Sequence, residues 1–180
     1  GASTCASCTR APSATLFDGC NRATAVQSCD GSNAVEDILL DKATIAFGAS
    51  VTVSVAHQCY VNTEDNLALW YHNGTSWRIL ATWGPSTLAS PNRQGALAGC
   101  NGNSTSPSPD GTVQFAFTPD SISGTHRLRA IVAGGSPASY VSADDGSCPA
   151  LRWGDIDDLS FAVSSDVLAP ASPLSLTVSP

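Results

Sequence analysis

Charge is scarce in this chain. Only 13% of its 180 residues are Asp, Glu, Lys or Arg, about half the usual share. Lys42 is the only lysine, and methionine is absent. With a net charge of −7 and a pI near 4.5, the chain repels phosphate backbones and anionic lipid. Nucleic acid and membrane surfaces are therefore not expected partners. Long apolar runs are lacking too: none approaches the roughly 20 residues of a membrane span, so no membrane insertion is expected. No segment keeps a 3.6-residue period over three turns, which argues against a helical fold. Catalytic signatures are equally missing. There is no Gly-x-Ser-x-Gly, no His-Glu-x-x-His and no phosphate loop. Histidine occurs only at His57, His72 and His126. His57 stands near Cys59, but a nucleophile there needs a free, activated thiol. The Asp residues of the one acidic motif do not define a glycosidase cleft. No enzymatic activity and no resident cofactor are expected.

What the chain has is apolar mass and cysteine. Apolar residues make up 42% and mean hydropathy is +0.03, enough for the core of one domain with tails. Ser, Thr, Asn and Gly must cover the surface, and attached sugar is a second way to keep such a surface soluble. The cysteines are Cys5, Cys8, Cys20, Cys29, Cys59, Cys100 and Cys148. Cys5-x-x-Cys8 with Cys20 and Cys29 faintly resembles a zinc ribbon, but the second pair lacks knuckle spacing and no nearby His completes a site. Disulfides are the expected use, which places the protein outside the cell. Seven is odd, so at most three bridges form within the chain and one sulfur stays free or joins another chain. The opening Gly1-Ala2-Ser3-Thr4-Cys5 reads as a mature start after signal removal. Asn73-Gly74-Thr75 and Asn103-Ser104-Thr105 are N-glycosylation acceptors, both in expected turns. Ser106-Pro107-Ser108-Pro109 resembles the hydroxyproline-glycosylated segments of plant and green-algal wall proteins; the alternative is an ordinary Pro-rich loop.

Along the chain, residues 1–30 form a disulfide-rich N-terminal segment, residues 31–163 a β-sandwich domain, and residues 164–180 a Pro-rich linker with a C-terminal strand. Residues 34–40 fit a strand or one helical turn. Val51, Val53 and Val55 alternate with polar residues as a half-buried strand does. Leu67, Leu69 and Tyr71 lead into His72-Asn73-Gly74-Thr75, and Trp77, Ile79 and Ala81 lead out. This is a hairpin, and Asn-Gly suggests a type I′ turn. Residues 84–111 read as a long loop pinned through Cys100. Val113, Phe115 and Phe117 form the next strand, ended by Pro119. In the strand from His126 to Ala133, Leu128, Ala130 and Val132 share one face, and Arg127, Arg129 and Ile131 the other. The last strand of the body carries Leu159, Phe161 and Val163 on its core face. Short strands between turn clusters indicate an all-β, disulfide-stapled sandwich or jelly roll with an extra C-terminal strand.

Gly154-Asp155-Ile156-Asp157-Asp158-Leu159 resembles the terminal motif of the GEVED domains, secreted β-sandwich modules of extracellular and surface proteins. His126-Arg127-Leu128-Arg129-Ala130-Ile131 is similar to the Arg-x-Arg strand before that motif, and Cys148 sits where the family often has a cysteine. The resemblance covers about residues 112–163. It departs where Leu159 replaces an aromatic and Asp replaces Glu. Read by themselves, Arg127 and Arg129 share a strand face, as do Asp155 and Asp157, so Arg–carboxylate pairs across the strands are expected to fix register. The second option is calcium, held by Asp155 and Asp157 with Asp144 and Asp145.

The motif strand normally closes a domain of that family, yet this chain continues. Pro170 and Pro173 make residues 164–173 a stiff linker. Leu174, Leu176 and Val178 then share one face of a strand bracketed by proline. That face must be buried, either in the strand's own sheet or in a groove of a neighbouring copy, as a donor strand. Burying the three side chains gains about 5–9 kcal/mol against an association cost of about 4–15 kcal/mol, so ladder hydrogen bonds must add to the link. Acidic, cysteine-bearing, glycosylated sandwiches with such tails resemble subunits of extracellular glycoprotein filaments, including glycan-coated fibrils from environmental water. Trp70, Tyr71, Trp77 and Trp83 crowd one hairpin, which keeps open a cell-surface adhesion or carbohydrate-binding module. Trp70 and Tyr71 should face opposite sides, so at least one packs inside. The expected function is a structural filament subunit whose partners are copies of itself and covalent glycans.

Overall fold

The computed structural model describes residues 16–18, 33–42, 44–85, 90, 92–100, 110–134 and 154–165. These residues form ten strands and no helix: β1 (Leu16–Asp18), β2 (Ala34–Leu40), β3 (Ile45–Ala46), β4 (Val51–Gln58), β5 (Asn66–His72), β6 (Trp77–Trp83), β7 (Arg93–Gly95), β8 (Gly111–Phe117), β9 (Gly124–Ala133) and β10 (Gly154–Ser164). The larger sheet runs β1-β10-β9-β5-β6-β7, with β3 also pairing β10; the smaller runs β2-β4-β8. The protein is thus an all-β, sandwich-like fold. Residues 34–40 resolve as strand, and β7 adds a short parallel partner of β6 inside the expected 84–111 loop. Strand β1 brings part of the N-terminal segment into the larger sheet through its pairing with β10.

Alternation explains the core. Val51, Val53 and Val55 of β4 and Val113 and Phe117 of β8 turn inward. They meet Leu67, Leu69 and Tyr71 of β5, Leu128, Ala130 and Val132 of β9, and Leu159 and Val163 of β10. Each Val or Leu so buried is worth roughly 1.5–3 kcal/mol. A second cluster, of Ala68, Trp70, Ile131, Ala133 and Ile156, lies on the opposite face of the same sheet. Trp70 and Tyr71 do point opposite ways, and both are buried. The β9–β10 ladder runs unbroken from Gly154↔Ala133 to Val163↔Gly124.

Cys59, at the end of β4, bonds to Cys100. Beside the bridge, the chain at Gly99 crosses Asp110 so closely that a Cβ on Gly99 would lie 2.2 Å from the Asp110 carbonyl oxygen; Gly99 also has φ +92°. Glycine is the residue that satisfies both demands. The Asp110 carboxylate accepts the Cys59 N–H at 3.0 Å. The remaining cysteines lie outside the described residues. The bridge spans a sequence separation of 41, for which loop-closure entropy predicts about 4 kcal/mol of stabilisation. Replacing both Cys59 and Cys100 by Ala should lower the unfolding free energy by about 2–4 kcal/mol in urea titrations, with the folded circular dichroism spectrum retained.

His57 lies under this crossing, fully buried, with neither ring nitrogen partnered among the described residues. Burial lowers its pKa to about 4, opposed by nearby Asp110. The unfolded chain therefore takes up a proton near pH 6.5 that the folded chain refuses until about pH 4. Stability contributed in this way is intact above pH 6.5 and is lost as pH falls to 4. Asp65, whose carboxyl burial pushes up against the N–H bonds from Val61 and Tyr60, works in the opposite sense. Comparing the native chain with His57→Leu isolates the histidine. Between pH 7 and pH 4 the native chain should lose on the order of 3 kcal/mol more than the variant, and equal losses in urea titrations would refute the assignment.

Candidate functional site

Strand β8 reads Gly-Thr-Val-Gln-Phe-Ala-Phe, with no charge and no proline. It pairs with β4 in continuous register from Val51↔Phe117 to His57↔Gly111. Its other edge has no strand partner among the described residues. Sheet edges are normally blunted by charge, proline, bulges or shortness, and the other edges here are. Strand β2 carries Glu36 and Asp37, has a register shift between Val35 and Asp37, and gives its Val35 N–H to Asp155 at 3.1 Å. Strands β1 and β7 are three residues each.

Next to the bare edge, between the two sheets, is a cleft of about 290 Å³ lined by Ile79, Leu80, Gln94, Phe115, Phe117 and Thr118 among others. Edge-to-face contacts with core rings fix its aromatic wall, Phe117 on Tyr71 at 5.4 Å and Phe115 on Trp83 at 6.5 Å. Towards Gly111, the chain from Leu97 to Cys100 crosses over: Leu97 is fully buried, and a Cβ on Gly111 would lie 2.7 Å from the Ala98 carbonyl oxygen.

Beyond the Phe117 end, a polar network holds residues 118–126. His126 Nε2 donates to the Ile122 carbonyl at 2.8 Å, because that oxygen only accepts. Nδ1 of the same ring lies 2.6 Å from the Tyr71 hydroxyl, and that hydroxyl accepts the Asp120 N–H at 2.9 Å. Burial raises the Tyr71 pKa. The Asp120 carboxylate takes Asn73 Nδ2 at 2.7 Å and Arg78 Nη2 at 3.0 Å, and the Arg78 guanidinium lies over the Tyr71 ring.

The turn between β5 and β6 holds the first sequon. Asn73 Oδ1 accepts the N–H groups of Thr75 and Ser76, each at 3.0 Å, and the Thr75 hydroxyl at 2.7 Å. The expected type I′ turn is not what forms. No described non-glycine residue has positive φ, and Gly74 at +98° supplies the only positive φ of the turn. Across the turn the Asn73 N–H donates to the Ser76 carbonyl at 3.3 Å. Asn103, Ser106, Pro107, Ser108 and Pro109 lie outside the described residues, as do Asp144, Asp145, Leu174, Leu176 and Val178.

The arginine–carboxylate pairing exists, but with a different carboxylate. Arg129 stands opposite Asp158 in the ladder and binds it through two hydrogen bonds, Nε–Oδ1 at 2.7 Å and Nη2–Oδ2 at 2.8 Å, both groups buried. Asp155 and Asp157 stand opposite Val132 and Ala130, on the other face. Asp155 takes the N–H groups of Val35 and Ile156. No three His, Cys, Asp or Glu side chains converge as a cation site among the described residues. The Arg129 guanidinium lies 4.6 Å from the centre of the Trp77 ring, whose other neighbour is His72 at 4.9 Å. Burial, then Arg127, His126 and Arg129, lower the His72 pKa. Trp70, Tyr71 and Trp83 are buried and Trp77 is half-buried. Cys59, being bridged, offers no thiolate to His57. The β8 seam escaped sequence reasoning; its one legible signal was a strand with no charge.

No family model matches the chain, and no curated protein does. Among solved structures it is similar to a cycloisomaltooligosaccharide glucanotransferase of Paenibacillus sp. complexed with cycloisomaltoheptaose. Identity is 15% and the TM-score 0.34, over 74% of this chain and 14% of that one. It is also similar to the sporulation control protein Spo0M of Bacillus subtilis, at 13% identity and TM-score 0.30, over 72% of this chain and 49% of that one. The chain thus matches less than half the length of either, and likenesses at this level carry no functional argument.

Removing one member of the buried pair should be far worse than removing both. Arg129→Ala leaves Asp158 charged and buried, and should cost about 3–5 kcal/mol in urea unfolding. Arg129→Met with Asp158→Leu should recover most of that loss; a double variant as unstable as the single one would contradict the analysis.

Proposed function

We propose that the protein is a structural subunit of an extracellular glycoprotein filament, joined head-to-tail when the C-terminal strand of one copy inserts into the next. The observation that carries this reading is the edge of β8, which has no strand partner among the described residues. An uncharged, unbulged seven-residue strand presents a row of main-chain N–H and C=O groups to any strand that can pair with them. The chain supplies such a strand in Leu174, Leu176 and Val178. A donor at one place and an acceptor at another make a heterologous contact, which builds open filaments rather than closed pairs.

Other features support the wider reading. The Cys59–Cys100 bridge suits an oxidising compartment. Asn73 sits in a turn whose Gly74, Thr75 and Ser76 are exposed, although a glycan on its Nδ2 would have to share that atom with the Asp120 carboxylate. The two-hydrogen-bond Arg129–Asp158 pair between the Arg-x-Arg strand and the acidic strand is a physical reason for a GEVED-type motif to hold both. An adhesion or sugar-binding role has less support, since three of the four hairpin aromatics are buried and leave no pair of exposed rings to stack on sugar.

Ending the chain after Ser165 should leave a folded monomer that forms no filaments by electron microscopy, under conditions where the full chain does. Filaments from the shortened chain would overturn the proposal.

A further inference from the structure

We infer that the acceptor is the seam along β8, with residues 174–178 of a second copy lying beside residues 113–118 and their apolar side chains set against Leu80, Phe115 and Phe117. This rests on the filament reading and assigns its binding site. Five residues of strand extend about 13 Å at 3.3 Å per residue, the same length as the Val113–Phe117 stretch they would pair with. On β8, Val113, Phe115 and Phe117 face inward while Gln114 and Ala116 are exposed. An added strand keeps this pattern. Leu174, Leu176 and Val178 fall on the cleft side, and Ser175 and Thr177 continue the polar outer face where Gln114 Nε2 donates to Ser54 Oγ at 3.1 Å.

The seam also sets the direction of entry. Its Gly111 end is closed by the Leu97–Cys100 crossing, whereas the cleft lies at the Phe115–Thr118 end. The smaller sheet ends at β8, while the larger one continues through β6 to β7, so a fourth strand in the smaller sheet would cover the surface now lining the cleft. Pro173 and Pro180 lack N–H groups and bound the pairing at both ends. Between Ser165 and Leu174 the linker reaches about 30 Å when extended. Insertion into the protomer's own seam is the competing arrangement, and the isotope-labelled test below separates the two.

The test places a photo-crosslinking benzoylphenylalanine at Leu176 of the full chain and co-assembles it with isotope-labelled full chain. After irradiation, the crosslinked peptides are identified by mass spectrometry. Crosslinks from position 176 to residues 78–80 or 113–118, including pairs of mixed isotope, are expected. Crosslinks to other strands, or seam crosslinks found only within single chains, would overturn the assignment. The two proposals fail separately. If the chain ending at Ser165 cannot assemble and position 176 crosslinks elsewhere between copies, the seam is wrong and the filament reading stands. If the shortened chain assembles, the filament reading itself is lost.

Discussion

The ladder of β5, β9 and β10 carries apolar side chains on both faces, and the need to bury both faces organises the rest of the molecule. Leu67, Leu69 and Tyr71 face the smaller sheet while Ala68 and Trp70 face away from it. Ile131 and Ile156 repeat the outward pattern on the neighbouring strands. Into this second apolar layer the chain puts two charges, Arg129 and Asp158. They are tolerated because they stand directly opposite each other and share two hydrogen bonds; a lone buried charge is not. A slip of β10 by one residue would turn its whole inward set, Leu159 and Val163 included, away from the core.

The two layers are unequal, and the inequality gives the molecule a direction. Three strands lie over a sheet of seven. At one margin, β2 is bulged, acidic and tied to β10 through Asp155. At the other, β8 is regular and uncharged and has no strand partner among the described residues, with the disulfide-pinned crossing beside one end of it. In the proposed assembly this asymmetry replaces any symmetric interface.

Much of the sandwich was legible because β-structure with one buried face writes a period of two. Val51, Val53 and Val55, the β5–β6 hairpin, and the inward set Leu128, Ala130 and Val132 were readable for that reason. The turn type was not. Asn-Gly suggested positive φ at both residues, but here the Asn73 side chain caps Thr75 and Ser76 and leaves positive φ to Gly74 alone. The carboxylate partner of Arg129 was also misassigned. Asp155, Asp157 and Asp158 are chemically alike, and only the register against β9 says which one Arg129 meets. Trp70 and Tyr71 were expected on opposite faces, and they are; that both faces are buried at that point was invisible in a single strand.

The sequence by itself determined most strands of the sandwich, from Val51–Val55 to Leu159–Val163, and that cysteine would be used for a bridge. These follow from local periodicity and composition, which act over a few residues. Tertiary structure alone decided that Cys59 pairs with Cys100, that Asp158 rather than its neighbours meets Arg129, and that β8 is the last strand of the smaller sheet among the described residues. Each of these depends on the lateral order and register of strands far apart in the chain, and that order is set by which faces bury one another rather than by any stretch of sequence read alone.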